Sequence, residues 1–216
     1  MDAAALKAVA GGAVLKILVL GDPATGKTSI IKRFCYAEFS EHHRTTIAVD
    51  FAMKNVVVDE DKSVRVQLWD IAGQDRFGSL VRIFYKDALG AMLVYDLTRE
   101  DTFETITKWK REVDDKVQLP SGEALPCILV GNKSDKVEGE IDADRLDAFC
   151  SENGFVGWYA TSAKLNEKIE ESISGLVTNV LTRKGIFPEG EEDDEEEGVA
   201  VAGEGGGTQG GCCPAF

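Results

Sequence analysis

Apolar residues along this chain switch repeatedly between two spacings. Residues 13–20 (AVLKILVL) are an almost unbroken apolar run, as expected for a strand covered on both faces. From 27 to about 37, Ile30, Ile31 and Phe34 fall on one side of a helix. Residues 47–58 and 63–70 then read as two strands around the polar turn DEDK, which predicts a hairpin. Residues 91–97 (AMLVYDL) and 126–130 (PCILV) are two more buried runs, and 154–161 (GFVGWYAT) a last strand. Between them, Phe103, Ile106, Trp109, Val113 and Val117 keep a helical period, and Leu146, Phe149 and Cys150 mark a short helix. Ile169, Ile173, Leu176, Val177, Val180 and Leu181 predict a closing amphipathic helix. Strands alternating with helices predict an α/β fold: a six-stranded, mostly parallel sheet with one antiparallel strand and helices on both faces. Ligands of such sheets bind at the carboxyl ends of the strands.

One strand ends oddly. In VQLWDIAGQDRF (66–77), Val64, Val66 and Leu68 alternate with Arg65, Gln67 and Trp69, and then Asp70 stands where the strand should continue. Gly73 and Gln74 follow, which places a carboxylate, a bare backbone and an amide at a strand's carboxyl end.

Composition bounds the domain count. With 216 residues, 44% of them hydrophobic, one domain of about 170 residues plus tails is the simplest reading. No apolar run reaches the roughly 18 residues of a membrane span. The start, MDAAALKAVAGG, lacks the basic flank and apolar core of a signal peptide, and Asp2 excludes N-terminal myristoylation. The net charge of −14 is concentrated near the end, where EGEEDDEEEG (189–198) and Glu204 supply nine carboxylates. This acidic balance, with no basic stripe, argues against nucleic acid as a partner. The Gly- and Glu-rich stretch 185–211 reads as a disordered tether. Of five cysteines, Cys35, Cys127 and Cys150 sit in apolar segments as expected for reduced cytosolic thiols. Cys212 and Cys213 are adjacent and need a separate explanation.

Two motifs carry nucleotide chemistry. Gly21-Asp22-Pro23-Ala24-Thr25-Gly26-Lys27-Thr28 fits G-x-x-x-x-G-K-[ST], with a strand before it and a helix after it. Glycines let the backbone approach a phosphate chain, and the N–H groups and helix start supply positive potential. Lys27 can reach the β and γ phosphates and the Thr28 hydroxyl can ligate Mg²⁺. Asn132-Lys133-Ser134-Asp135 follows the strand at 126–130. A carboxylate there can accept from guanine N1–H and N2–H₂, a donor pair adenine lacks, while the lysine stem covers the ring. Alone NKSD resembles an ordinary surface turn; with the phosphate loop 105 residues earlier and Ser162-Ala163-Lys164 after the last strand it reads as a base site.

Together these residues resemble the Ras superfamily of small GTPases, and within it the Rab family. The resemblance runs from about 14 to 184 and includes all five nucleotide motifs in order. It implies a P-loop small G domain at 14–184, an N-terminal extension at 1–13, and a flexible acidic tail at 185–216 ending in a prenylation site. The implied ligands are GTP or GDP with Mg²⁺. Contacts to the nucleotide are implied for Asp22, Ala24, Thr25, Gly26, Lys27, Thr28, Ser29, Phe39, Thr46, Gly73, Asn132, Lys133, Asp135, Ser162, Ala163 and Lys164. Among these, Phe39 matches the aromatic edge-on to guanine and Gly73 the sensor of the γ-phosphate. Thr28, Thr46 and Asp70 resemble the Mg²⁺ set, with Asp70 acting through a water. Thr46 is preferred to Thr45 because IAVDF follows it, as TIGVDF does in Rabs. Gln74 resembles the catalytic glutamine that orients the attacking water. Phe51, Trp69 and Phe84 match the aromatic triad that effectors read, and Cys212 and Cys213 the double-cysteine geranylgeranylation site. Ile71, in WDIAGQ, together with FVGW at 155–158, resembles the Rab thirty-two and thirty-eight branch. The resemblance therefore implies a GTP-hydrolysing switch of vesicle traffic with a monomeric G domain. It implies an exchange factor, an activating protein, a GDP dissociation inhibitor or escort protein, and effectors. It also implies prenyl anchoring on the cytosolic face of endosomes or lysosome-related organelles, cycling with the cytosol. The acidic tail should be repelled by anionic lipids, so targeting is expected to come from proteins.

Three positions depart from the family pattern. Pro23 stands where Ras proteins carry Gly and many Rabs Ser; it lacks an N–H and its ring bears on access for an activator's arginine. Ala48 replaces a glycine, which stiffens the segment, and Asp75 replaces a glutamate. The expected result is slow intrinsic hydrolysis. Two other readings stand at this point: a scaffold that binds GTP without hydrolysing it, and a P-loop kinase or ATPase acting on a metabolite. Gln74 speaks against the first, NKSD and SAK against the second.

Overall fold

The computed structural model describes residues 14–41, 46, 49–59, 62–72, 81–119 and 121–183. The expectations for 1–13, Thr45, Ala48, Gly73, Gln74, Asp75 and the tail with Cys212 and Cys213 lie outside them. The chain runs β1 (Val14–Leu20), α1 (Lys27–Tyr36), β2 (Val49–Asp59), β3 (Lys62–Ile71), α2 (Val81–Tyr85) and β4 (Gly90–Asp96). It continues through α3 (Glu100–Glu104), α4 (Ile106–Lys116), β5 (Cys127–Asn132), α5 (Ala143–Asn153), β6 (Gly157–Thr161) and α6 (Ile169–Thr182). The six strands lie in the order β2-β3-β1-β4-β5-β6. Only β2 and β3 pair antiparallel; the other neighbours are parallel.

The expected fold class is therefore the observed one. The all-buried runs form the sheet centre, where every residue of β4 and β5 is buried. On β3, Val64, Val66 and Leu68 are buried and Asp70 follows their phase, so its carboxylate is carried inward. Helix α1 packs against α6, while α3 and α5 meet through Phe103 and Phe149, ring centroids 4.6 Å apart. No helix among the described residues is long and apolar enough to cross a membrane. Cys35, Cys127 and Cys150 are free thiols.

Three details differ from the sequence pattern. The single period from Phe103 to Val117 spans two helices, because the chain breaks at Thr105. The last strand begins at Gly157 rather than 154, since Gly154 (φ 68°) closes α5 in the left-handed region. The five-residue α2 left no periodic mark at all. The parallel register sets Val19 beside Asp70, and Asp96 beside Asn132. The carboxyl ends of β1, β3, β4 and β5 thus form one rim.

Candidate functional site

The loop from Gly21 to Gly26 crosses this rim with no room for side chains at its ends. A Cβ on Gly21 (φ 142°) would lie 2.0 Å from the Val94 carbonyl oxygen, and one on Gly26 (φ 96°) 2.2 Å from Asn132 Nδ2. Ala24 is also left-handed (φ 62°). The loop's carbonyls are held by side chains. Lys27 Nζ donates to Gly21 O (2.8 Å) and Asp22 O (2.9 Å), and Thr25 Oγ1 also donates to Asp22 O (3.0 Å). Arg99 Nη2 donates to Pro23 O (3.0 Å), Lys133 Nζ to Ala24 O (2.9 Å) and Asn132 Nδ2 to Thr25 O (2.9 Å). With its acceptors occupied in this way, the loop has its N–H donors, other than at Pro23, left to offer an anion. Burial pulls the Lys27 ammonium down to about 8, with the charge of Asp70 opposing.

A cavity of about 520 Å³ opens over the loop. That volume suits a nucleotide-sized ligand. Pro23, Ala24, Gly26, Lys27, Thr28 and Ser29 line one end of it. Phe39, Asn132, Lys133, Asp135, Ala163 and Lys164 line the other. Thr46 completes the wall, with Glu41, Ala72 and Lys136, which the sequence motifs did not indicate. Asp22, Thr25 and Ser162 do not line it. Thr25 and Ser162 are fully buried and act through their bonds.

At the loop end, three oxygens converge. Thr28 Oγ1 donates to Asp70 Oδ2 (2.5 Å), Thr46 Oγ1 reaches the same oxygen at 3.2 Å, and the two hydroxyls are 2.8 Å apart. Asp70 Oδ1 is buried with no hydrogen-bond partner. Burial pushes the Asp70 carboxyl up, and Asp50 adds to this; the Thr28 bond, Lys27 and the Thr46 bond oppose it. A hard cation such as Mg²⁺ is bound by oxygens, commonly one or two carboxylates with phosphates. An orphaned acceptor beside two hydroxyls fits that requirement.

At the other end, Ser162 Oγ donates to Asp135 Oδ1 (2.6 Å) and orients its carboxylate. Lys133 sits in the left-handed region (φ 69°) and its ammonium bonds Asp96 Oδ2 (2.6 Å). Burial pushes the Asp96 carboxyl up, but the bonds from Lys133 and Thr98 outweigh it and leave it below the usual range. Arg33 Nε holds Ala163 O (2.8 Å) and its guanidinium lies over the half-buried Phe39 ring. Lys164 is exposed and pairs with Glu41 (3.0 Å).

Away from the cavity, Phe51, Trp69 and Phe84 form one strip. Phe51 stacks on Trp69 with centroids 5.6 Å apart, Phe84 follows at 6.2 Å, and Phe51 is 51% exposed. The ties through Arg99 and Asp96, and the bonds that Thr105 Oγ1 and Trp109 Nε1 donate to the Asp22 carboxylate, escaped the motif reading. A signal was present in the i, i+4 spacing of Thr105 and Trp109, but Trp109 also fits the core period.

A family model described as the Ras family matches residues 16–182. The chain belongs to the Ras family. The mouse Ras-related protein Rab-32 is 48% identical over 181 residues, covering 83% of this chain and 81% of the relative. Dictyostelium discoideum Rab-32A is 50% identical, covering 77% of each. Rat Rab-7L1 is 44% identical over 78% of this chain and 82% of its own length. Within the Ras family the chain is thus a Rab GTPase of the Rab32/38 branch. This Rab binds GTP and GDP with Mg²⁺, hydrolyses GTP, and acts as a switch in membrane traffic. Exchange factors, activating proteins, a GDP dissociation inhibitor and effectors are its classes of partner, and endomembranes its place of action.

Proposed function

We propose that the 520 Å³ cavity holds a guanine nucleotide with its phosphates over residues 21–28 and its base between Lys133, Asp135 and Phe39. The observation that carries this reading is the pinned loop, its carbonyls bonded to side chains and its helix N-terminus turned to the cavity floor. Lys27 and the backbone N–H groups of Ala24, Thr25, Gly26 and Thr28 bind phosphate, with Ser29 closing the first turn. Asp135, oriented by Ser162, accepts from the guanine edge, and Ala163 and Lys164 close the base pocket. Thr28, Thr46 and Asp70 would hold Mg²⁺, which when bound would supply neutralisation of charge on the β and γ phosphates. Gly73 senses the γ-phosphate, and Gln74 orients the water that displaces GDP from it. Thr46 and Gly73 release on hydrolysis, which is the switch.

Phe51, Trp69 and Phe84 form the face read by effectors. The layout is an N-terminal extension at 1–13, a G domain at 14–184 and a tail carrying prenyl groups on Cys212 and Cys213. The destination is an endosome or lysosome-related organelle. Pro23, exposed at the cavity edge, slows hydrolysis by withholding one loop donor.

Denaturing the purified protein and chromatographing what it releases tests the nucleotide reading. About one equivalent of GDP is expected, and GTP instead from Gln74→Leu. An adenine nucleotide, or GDP from both proteins, would contradict it.

A further inference from the structure

Asp22 places a carboxylate inside a loop that binds phosphate, where like charge opposes the ligand. The structure turns it away. Its side chain does not line the cavity; Oδ1 accepts from Trp109 Nε1 (2.9 Å) and Oδ2 from Thr105 Oγ1 (2.8 Å). We propose that this contact is a latch, and that Asp22 is a positioning residue which sets the phosphate loop from the α3–α4 break.

Both donors are fixed. Trp109 is 1% exposed, so its indole cannot swing. Thr105 sits at the break between α3 and α4, with its hydroxyl 3.0 Å from Thr102 O. Charge-assisted bonds to a carboxylate are among the stronger ones a neutral donor makes. The same residue's carbonyl receives Lys27 and Thr25. One end of Asp22 is therefore anchored in α3–α4 while the other holds the lysine that reaches the phosphates. The break at Thr105, unexplained by the helical period, is what points its hydroxyl at the loop. Arg99 adds a tie on the same side, bridging Asp96 (3.2 Å) and the Pro23 carbonyl (3.0 Å). Loosening α3–α4 should thus loosen the grip on the diphosphate while leaving the base pocket, built on Asn132, Lys133 and Asp135, in place.

This rests on the placement of the phosphates over residues 21–28. The test uses the full chain and compares dissociation constants for GDP and for GMP, which lacks the β-phosphate. Trp109→Phe removes the indole donor and keeps a ring; Thr105→Val removes the hydroxyl and keeps the shape; Thr105→Ser restores it. The first two should weaken GDP about tenfold and GMP less than twofold, with Thr105→Ser like the parent protein. Equal losses for GDP and GMP would show a general packing role and overturn the latch, as would no loss for GDP in Thr105→Val, should Trp109→Phe fail to fold. Lys27→Ala separates the two levels of the argument. If it collapses the GDP-to-GMP ratio while the latch variants do not, the latch alone fails. If it too leaves the ratio unchanged, the phosphate placement fails, and the latch with it.

Discussion

Nucleotide binding should take up a proton at alkaline pH, and Lys27 should be the group that takes it. In the free protein, burial lowers its ammonium to about 8, against an ordinary 10.5. The folded chain then holds fewer protons than the unfolded one between those values, so the nucleotide-free fold gains stability as pH rises through that window. Phosphate oxygens reverse the balance by stabilising the ammonium. Returning it from about 8 to its ordinary value corresponds to about 3 kcal/mol of differential interaction. At pH 8.5 about a quarter of free Lys27 is charged, so binding should take up about 0.7 proton; at pH 7.0 the uptake falls to about 0.1. GDP affinity should accordingly fall as pH rises above about 8, approaching tenfold per pH unit. The assay is calorimetric titration of nucleotide-free protein with GDP and Mg²⁺ at both pH values, in buffers of different ionisation enthalpy. A buffer-independent enthalpy at pH 8.5, or equal uptake in Lys27→Met, would refute the reasoning.

Gly21→Ala should cost at least about 3 kcal/mol, because its Cβ would lie 2.0 Å from the rigid Val94 carbonyl; an unchanged melting temperature of the GDP-loaded protein would contradict this. Asp135→Asn swaps one acceptor for a donor, so competition binding should show GTP weakened about a hundredfold, roughly two lost hydrogen bonds, and a xanthine nucleotide strengthened; an unchanged preference would sink the base assignment. Trp69→Ala, which removes the half-buried middle ring of the strip, should abolish capture of effectors by the GTP-loaded protein while GDP affinity stays within about twofold; retained capture would remove the triad from the interface.

The chemistry of the site was legible because it is local in sequence. A phosphate loop needs glycines, a lysine and a hydroxyl at fixed spacing, and the strand before and helix after are visible in the hydrophobic period. Asp70 announced itself as a carboxylate keeping the buried phase of β3. Residues such as Arg99 and Asp96 were invisible for the converse reason. They do not line the cavity, and no spacing rule binds them to the loop.

By itself, then, the order of residues determined the parallel sheet, the loop at its rim, the guanine-type motif and the family they compose. Each follows from period or from contiguous chemistry. Only the tertiary structure decided that the period from Phe103 to Val117 breaks at Thr105, and that Trp109 serves as donor as well as core. It also decided that Asp22 faces away from the cavity. The physical reason is distance along the chain. Asp22 finds its donors 83 and 87 positions later, and Thr25 its amide 107 positions later. The parallel crossovers alone bring these groups to one edge of the sheet.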